Sequence, residues 1–329
     1  LPHRHRSHLP MSLSVFSRES MPQIRRQRII PYFPTRVCRA HQAFLFSKQR
    51  TVVHTPRNGC DPMDQGEFDR HVNDMLADGY TVLPDLLSIE ECDQACGALE
   101  RLTAERARGG FECLFNKDPV FERIYQIPSY LRLIRHFLGP DATLSAMHGS
   151  RIEPGAGGGG LHADGELTGH LRPRSQAAAD RGTRITSHVM SLNSIFCLSE
   201  FTQSNGATQI VVGSHEIETL DIPETAEARA KIIDAPRGSA ILFNTNLWHG
   251  SSKNASAGFR YALLVPWRRC WQRGEYEMAR VVKPEVLERA GEQGATIFGI
   301  DALPSYLERW QWDRDSGRPL AEFSHLHRA

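Results

Sequence analysis

From Thr143 to Trp267 the chain passes through short apolar segments rich in β-branched residues, with turn residues between them and no stretch of helical period. The segments are TLSAMHGSRIEP, HVMSLNSIFCLSEF, TQIVVGSH, KIIDAP, SAILFNTNLWHGSS and FRYALLVPW, punctuated by Asn205-Gly206, Pro236-Arg237-Gly238 and Ala257-Gly258. Short apolar runs bounded by Gly, Pro and Asn are the mark of strands, and strands that follow one another without a crossover helix pair antiparallel. Such strands bury their apolar faces by stacking as two sheets or by rolling up, so a β-sandwich or jelly-roll barrel is expected over about 143–270.

Helices flank this region. Phe68, Val72, Met75 and Leu76 form a helical stripe closed by Gly79, and YTVLP beyond it reads as a strand. Ser88 with Glu91 three residues on is a capping box, and Cys92, Ala95, Cys96, Leu99 and Leu102 line one face of the helix it opens. DPVFERIYQIPSYLRLIRHFLG reads as a further helical region around Pro128, with His136 on its surface. After Trp271, KPEVLERAGEQ returns to helix before a Trp- and Arg-containing tail.

The beginning of the chain is different material. Residues 1–62 carry 11 Lys and Arg against Glu19 and Asp61, about +9, in a chain whose net charge is +1, which leaves about −8 for the rest. They hold no sustained period and read as a basic, poorly ordered extension ahead of a single domain over 63–329. An Arg-rich, acid-poor composition also fits a mitochondrial transit peptide, so the expected compartment is the cytoplasm, or the mitochondrion if this segment is a leader. A basic tail alone does not make a nucleic-acid binder. No run reaches the roughly 18 apolar residues of a membrane span. The seven dispersed Cys contain no C-x-x-C and are expected as reduced thiols. Neither nucleic acid nor a membrane is an expected partner.

The segment GGGGLHADGELTGH, Gly157 to His170, contains the triplet His162-Ala163-Asp164. In extended chain, alternate side chains leave one face, so an imidazole and a carboxylate are aimed at one point; the pair is half of a metal site or a turn-stabilising pair. The glycine run before it lacks the Lys-Ser/Thr of a phosphate loop and leads into a strand rather than a helix, so it reads as a flexible approach to the metal strand. His249, in LFNTNLWHGSS, is the best third ligand. Two His and one carboxylate leave three coordination positions open, the arrangement of non-heme Fe(II) oxygenases. Eleven residues on stands Arg260, suited to hold the far carboxylate of a keto-acid cosubstrate. A strand, a turn through KNASAG and a return strand would bring it to the metal-bearing wall, and no acid lies between Trp248 and Arg269 to neutralise it.

Three stretches together, EPGAGGGGLHADGE, FTQSNGATQIVVGSH and WHGSSKNASAGFRYAL, resemble the phytanoyl-CoA dioxygenase (PhyH-like) family of Fe(II)/2-oxoglutarate oxygenases, over roughly Met63 to Ala279. MSLNSIFCLSEFTQSNGATQIVVGSH looks most like the branch acting on microbial natural products. The resemblance implies a double-stranded β-helix, the cupin-like jelly roll, with Fe(II) held by His162, Asp164 and His249, and 2-oxoglutarate and O2 as cosubstrates. It makes Arg260 the anchor for the 2-oxoglutarate C5 carboxylate and Ser251 a support for it. Asn193 shares strand parity with Ile195 and Cys197 and is expected to face the interior, touching cosubstrate or substrate. The implied activity is oxidation of an unactivated C–H bond of a secondary-metabolite or lipid-like molecule, with 2-oxoglutarate converted to succinate and CO2. Two departures stand out: Val212 replaces the Pro that usually precedes Gly-Ser-His, and the insertion HLRPRSQAAADRGTRITS has no counterpart.

Asp164 argues against a halogenase, which replaces the carboxylate with a small residue. A hydrolytic zinc site would also take three ligands but gives Arg260 no purpose, and a non-catalytic binding module on the same barrel is the remaining alternative. His215 is read as structural, because Gly213 and Ser214 mark a tight bend. His170 and His188 are read as surface or loop residues, and Trp248 as core, on the face opposite His249.

Overall fold

Asp64 accepts a hydrogen bond from the Glu67 amide and so starts helix α1 (Gln65–Ala77), which leads into strand β1 (Tyr80–Leu83). The computed structural model describes residues 63–105, 110–165, 184–219 and 221–300. The basic extension, His170 with most of the insertion after it, and the Trp- and Arg-containing tail lie outside these residues. On α1 the expected stripe is altered: Phe68 and Met75 are buried, but Leu76 is exposed and His71 takes an inward place. A polar side chain can do so because Thr81 on β1 meets His71 Nδ1 at 2.8 Å, satisfying it inside the core.

The Ser88–Glu91 capping box is present with both reciprocal bonds, and α2 (Ile89–Ala104) follows, burying Cys92, Ala95, Ala98 and Leu99. A 3-10 turn over Pro119–Gln126 leads into α3 (Pro128–Leu138), where Pro fits because the first helical N–H has no partner to lose. His136 is exposed, its ring edge-on to Phe68.

The strand region forms two antiparallel sheets among the described residues. The larger holds β1, β2 (Thr143–Leu144), β3 (His148–Ile152), β4 (Ser191–Cys197), β7 (Ala240–Asn244), β9 (Arg260–Leu264) and β10 (Trp267–Arg268), and runs β1-β7-β4-β10-β2, with β9 joining β3 to β4. The smaller runs β6-β5-β8, from β6 (Lys231–Ile232), β5 (Thr208–Ile210) and β8 (His249–Ser251). Beyond β10 the chain returns to short helices: α4 (Met278–Val281), α5 (Pro284–Ala290) and α6 (Gly294–Ile297).

β4 is buried along its whole length, and its two faces serve two cores. Leu192 and Phe196 pack outward with the helices, where Trp267 Nε1 donates to the Tyr130 hydroxyl at 2.7 Å and that hydroxyl meets Ser194 Oγ at 2.7 Å. Ile195 and Cys197 point inward, with Phe201, Ile210, Phe243 and Ala262. The inward set is smaller, and this leaves room for a cavity. The described cysteines Cys92, Cys96, Cys113, Cys197 and Cys270 are free thiols, and among the described residues no helix is long and apolar enough to cross a membrane.

Candidate metal centre

His162 and His249 face each other across a single antiparallel bridge, each donating its amide to the other's carbonyl at 2.8 Å. His162 therefore lies on an extended segment laid along the edge of β8, not on a regular strand. Two glycines allow this close approach. A Cβ at Gly250 would sit 2.4 Å from the Gly160 carbonyl oxygen, and one at Gly157 would sit 2.5 Å from that of Ser252. The run of four glycines expected to give flexibility, Gly157 to Gly160, thus includes one that is required by contact, and Gly157 also adopts φ of +86°, a conformation glycine takes at little cost.

The alternation expected of the triplet holds. Ala163 turns away into a cluster with Val211 and Trp248, while His162 and Asp164 turn together toward His249. Asp164 Oδ1 lies 3.7 Å from His162 Nε2, and Oδ2 lies 3.3 Å from His249 Nε2. One ligand atom from each residue falls within 4.8 Å of the others. His249 Nδ1 donates to the Leu247 carbonyl at 2.9 Å, so loss of the Nε2 proton that faces Asp164 Oδ2 would leave that lone pair for a metal. Burial alone would raise the Asp164 carboxyl, but the bond to His249 and the charges of both imidazoles hold it at about 2, so it is anionic. Metal binding demands a carboxylate and neutral imidazoles, and burial, with the charge of His249, lowers the His162 pKa toward the neutral form.

Asn193 faces inward, as its parity requires, and its partner is the Asp164 carboxylate: Nδ2 donates to Asp164 Oδ2 at 3.1 Å, while Oδ1 accepts from the Ser194 amide at 2.8 Å. Asp164 is further tied through its amide to the Thr245 carbonyl at 2.9 Å. Sequence alone assigns Asn193 to a face but cannot pair it with a residue 29 positions away.

Arg260 is 4% exposed. Its Nε and Nη2 donate to the Gly206 carbonyl, at 3.2 and 2.9 Å, and its guanidinium lies 4.5 Å from the Phe201 ring centroid. Among the described residues no carboxylate stands against it, and burial pushes its pKa down to about 10. The route by which it arrives differs from the expected return strand. β8 pairs with β5 in the small sheet and β9 with β3 and β4 in the large one, so KNASAG carries the chain between sheets. A turn signal marks a change of direction without saying which sheet receives the next strand.

A cavity of about 640 Å3 opens between these walls, lined by His162, Asp164, His249, Asn193, Ser251 and Arg260, with Ile152, Ile195 and Leu264 as apolar surface. Ser251, on β8 opposite Thr208, belongs to this lining as well. The same wall holds two residues that motif reading missed, His148 and Arg268. The alternation Leu264, Pro266, Arg268 was the available signal. His215 is buried in the Ser214–Glu216 turn beneath Gly79, away from the cavity, and His188 is exposed. Trp248 is buried behind the metal-facing side, as its parity predicts.

The model of the family described as phytanoyl-CoA dioxygenase (PhyH) matches residues 75–262. Dioxygenase af480 of Aspergillus fumigatus is 26% identical over 203 residues, covering 56% of this chain and 62% of that protein. Dioxygenase cdmA of Talaromyces verruculosus is 33% identical over 115 residues, 35% of this chain and 36% of that protein. The chain thus spans about three fifths of the first relative and about a third of the second. The crystal structure of HygX from Streptomyces hygroscopicus with nickel and 2-oxoglutarate bound shares the fold, with a TM-score of 0.51 at 18% identity over 62% of this chain and 88% of that one. With its family match running from the first helix to the strand that carries Arg260, this chain belongs to the phytanoyl-CoA dioxygenase (PhyH) family.

Proposed function

We propose that this chain is an Fe(II)- and 2-oxoglutarate-dependent dioxygenase that hydroxylates, or otherwise oxidises, an unactivated C–H bond of a small secondary-metabolite or lipid-like molecule. The two sheets are then the walls of a double-stranded β-helix, with the cavity between them as the active site. His162, Asp164 and His249 hold the iron. Asn193 keeps one carboxylate oxygen of Asp164 occupied, so that the other is presented to the metal. Arg260 takes the far carboxylate of 2-oxoglutarate, with Ser251 beside it, and Ile152, Ile195 and Leu264 keep water from the reacting carbon. Bound iron supplies oxygen activation, and 2-oxoglutarate supplies two electrons in leaving as succinate and CO2.

The observation that carries this reading is Arg260. A buried cation needs a partner, and this one shares a cavity with three metal-ligating side chains while no carboxylate among the described residues reaches it. A hydrolytic zinc centre leaves that unexplained, and a non-catalytic binding module has no use for three converging ligands. The test is titration of 2-oxoglutarate at saturating Fe(II), with succinate as the readout. Arg260→Ala is expected to cost about 2 to 5 kcal/mol of cosubstrate binding, the range for truncating one side of a buried charge pair. Arg260→Lys keeps the charge and loses the planar fork, and should chiefly raise the KM for 2-oxoglutarate. An unmoved titration curve in Arg260→Ala would make Arg260 a structural residue and remove the cosubstrate assignment.

A further inference from the structure

Asp164 and His249 stand on different segments but lean on the same turn, the one that joins β7 to β8 over 245–248. The Thr245 carbonyl accepts from the Asp164 amide at 2.9 Å, and the Leu247 carbonyl accepts from His249 Nδ1 at 2.9 Å. The placement of two of the three converging side chains therefore depends on what holds this turn. From within, Asn244 steadies it: its Oδ1 accepts from the Asn246 amide at 3.0 Å and its carbonyl from the Leu247 amide at 2.8 Å. From outside it is met by Arg184, at the described end of the insertion that follows the triplet.

Arg184 is 5% exposed, and its guanidinium is committed to the carbonyl oxygens of two turns. Nη1 donates to the Asn246 carbonyl, Nη2 to the Ser214 carbonyl at 2.7 Å and to that of Ile217, and Nε to the Ile217 carbonyl at 2.9 Å. Burial pushes its pKa down to about 10, which leaves it charged at neutral pH. A buried cation is tolerated when its N–H groups are satisfied, and here three carbonyls from two turns define one seat for it. Ser214 Oγ also accepts from the Trp248 amide at 2.8 Å, so the two turns are tied a second time. Asn246, itself buried, meets the insertion from the other side. Its Nδ2 donates to the Ile185 carbonyl at 2.7 Å, and its Oδ1 packs so closely on Gly165 that a Cβ there would lie 2.1 Å away. One side chain thus touches the chain directly after Asp164 and again where the insertion returns.

We propose that Arg184 and Asn246 form a clasp that presets Asp164 and His249 for metal, with Arg184 a positioning residue that acts through the β7–β8 turn. This rests on the dioxygenase reading above, with His162, Asp164 and His249 as the ligands. A site whose ligands are held in place before binding keeps the affinity that a loose one loses in ordering them. The clasp also answers a difficulty the insertion creates, because a long excursion directly after a ligand would otherwise leave that ligand on a free end. With both described ends of the excursion fastened to one turn, the carboxylate keeps its place.

The test measures Co(II) affinity of the full chain by chelator competition, with the visible spectrum of bound Co(II) reporting coordination geometry. The urea midpoint of the metal-free protein reports stability. Arg184→Met is expected to weaken Co(II) binding about ten- to hundredfold and to alter the spectrum, the effect usual for groups that orient metal ligands. Arg184→Lys, which keeps a charged donor for part of the carbonyl set, should recover part of the loss. Leu133→Ala, in the core beneath α3, should lower the midpoint and leave Co(II) affinity and spectrum unmoved. If Arg184→Met lowers the midpoint yet matches the unmodified protein in affinity and spectrum, Arg184 is a structural arginine and the proposal falls. Should that variant not fold, Asn246→Ala takes its place, with the same expected and overturning results. No Co(II) binding by the unmodified protein, or an affinity unmoved in Asp164→Ala, overturns instead the metal reading on which the proposal rests.

Discussion

The side chain that best shows how the site is assembled is Asn193, because it holds the Asp164 carboxylate, one of the three groups that could hold a metal, from outside that trio. Its amide orientation is set by the Ser194 N–H, so its donor is committed to Asp164 Oδ2 before any metal arrives. Partners of this kind typically support ten- to hundredfold of metal affinity. Asn193→Ala is therefore expected to weaken Co(II) or Fe(II) binding by about ten- to hundredfold, measured by titration, with the circular dichroism spectrum unchanged. At this scale the sequence was informative where residue chemistry is scarce. Two His, one Asp and one Arg have few reasons to recur in that order, and family resemblance assigned them. It was silent on Arg268, which belongs to no motif and is placed on the cavity wall only by the pairing of β10 with β4.

Among the elements, the most exacting contact is the one between the His162 segment and β8. Gly250 faces the Gly160 carbonyl so closely that a methyl group cannot be placed without moving backbone. Gly250→Ala should cost about 1 to 3 kcal/mol, the usual range for overpacking, and should separate the two histidine-bearing segments. Calorimetric melting and metal titration are expected to show a larger loss in metal binding than in folding. α1 provides a second case. His71 is buried against Thr81, and burial, helped by the charge of Arg70, lowers its pKa below 6.5. In the unfolded chain His71 titrates near the ordinary 6.5, so below that pH the unfolded state binds more protons. Stability should therefore fall as pH drops from neutrality through 6.5 toward the depressed folded value. Urea midpoints measured across this range check it, and His71→Gln should flatten the slope. The capping box and the Pro128 boundary were legible because their causes are local. The burial of His71 in place of Leu76 was not, since only β1 provides the hydroxyl that makes it affordable.

For the whole molecule, the order of short strands made a two-sheet β architecture legible, because an antiparallel series leaves few ways to bury its apolar faces. The passage of the chain from β8 in one sheet to β9 in the other was not, since KNASAG looks the same in a hairpin and in a crossing. The family match begins at residue 75 and the first described helix at Gln65, so a protein starting at Met63 is expected to fold and to convert 2-oxoglutarate. Loss of soluble protein on that truncation would show that the basic extension is needed. The crossing has a mechanical consequence. His249 stands on the small sheet and Arg260 on the large one, so on the proposed function a dicarboxylate held between iron and guanidinium would be a rivet through both layers. Prising the sheets apart would then also break that rivet, and the cosubstrate would become part of the tensile strength of the protein that consumes it.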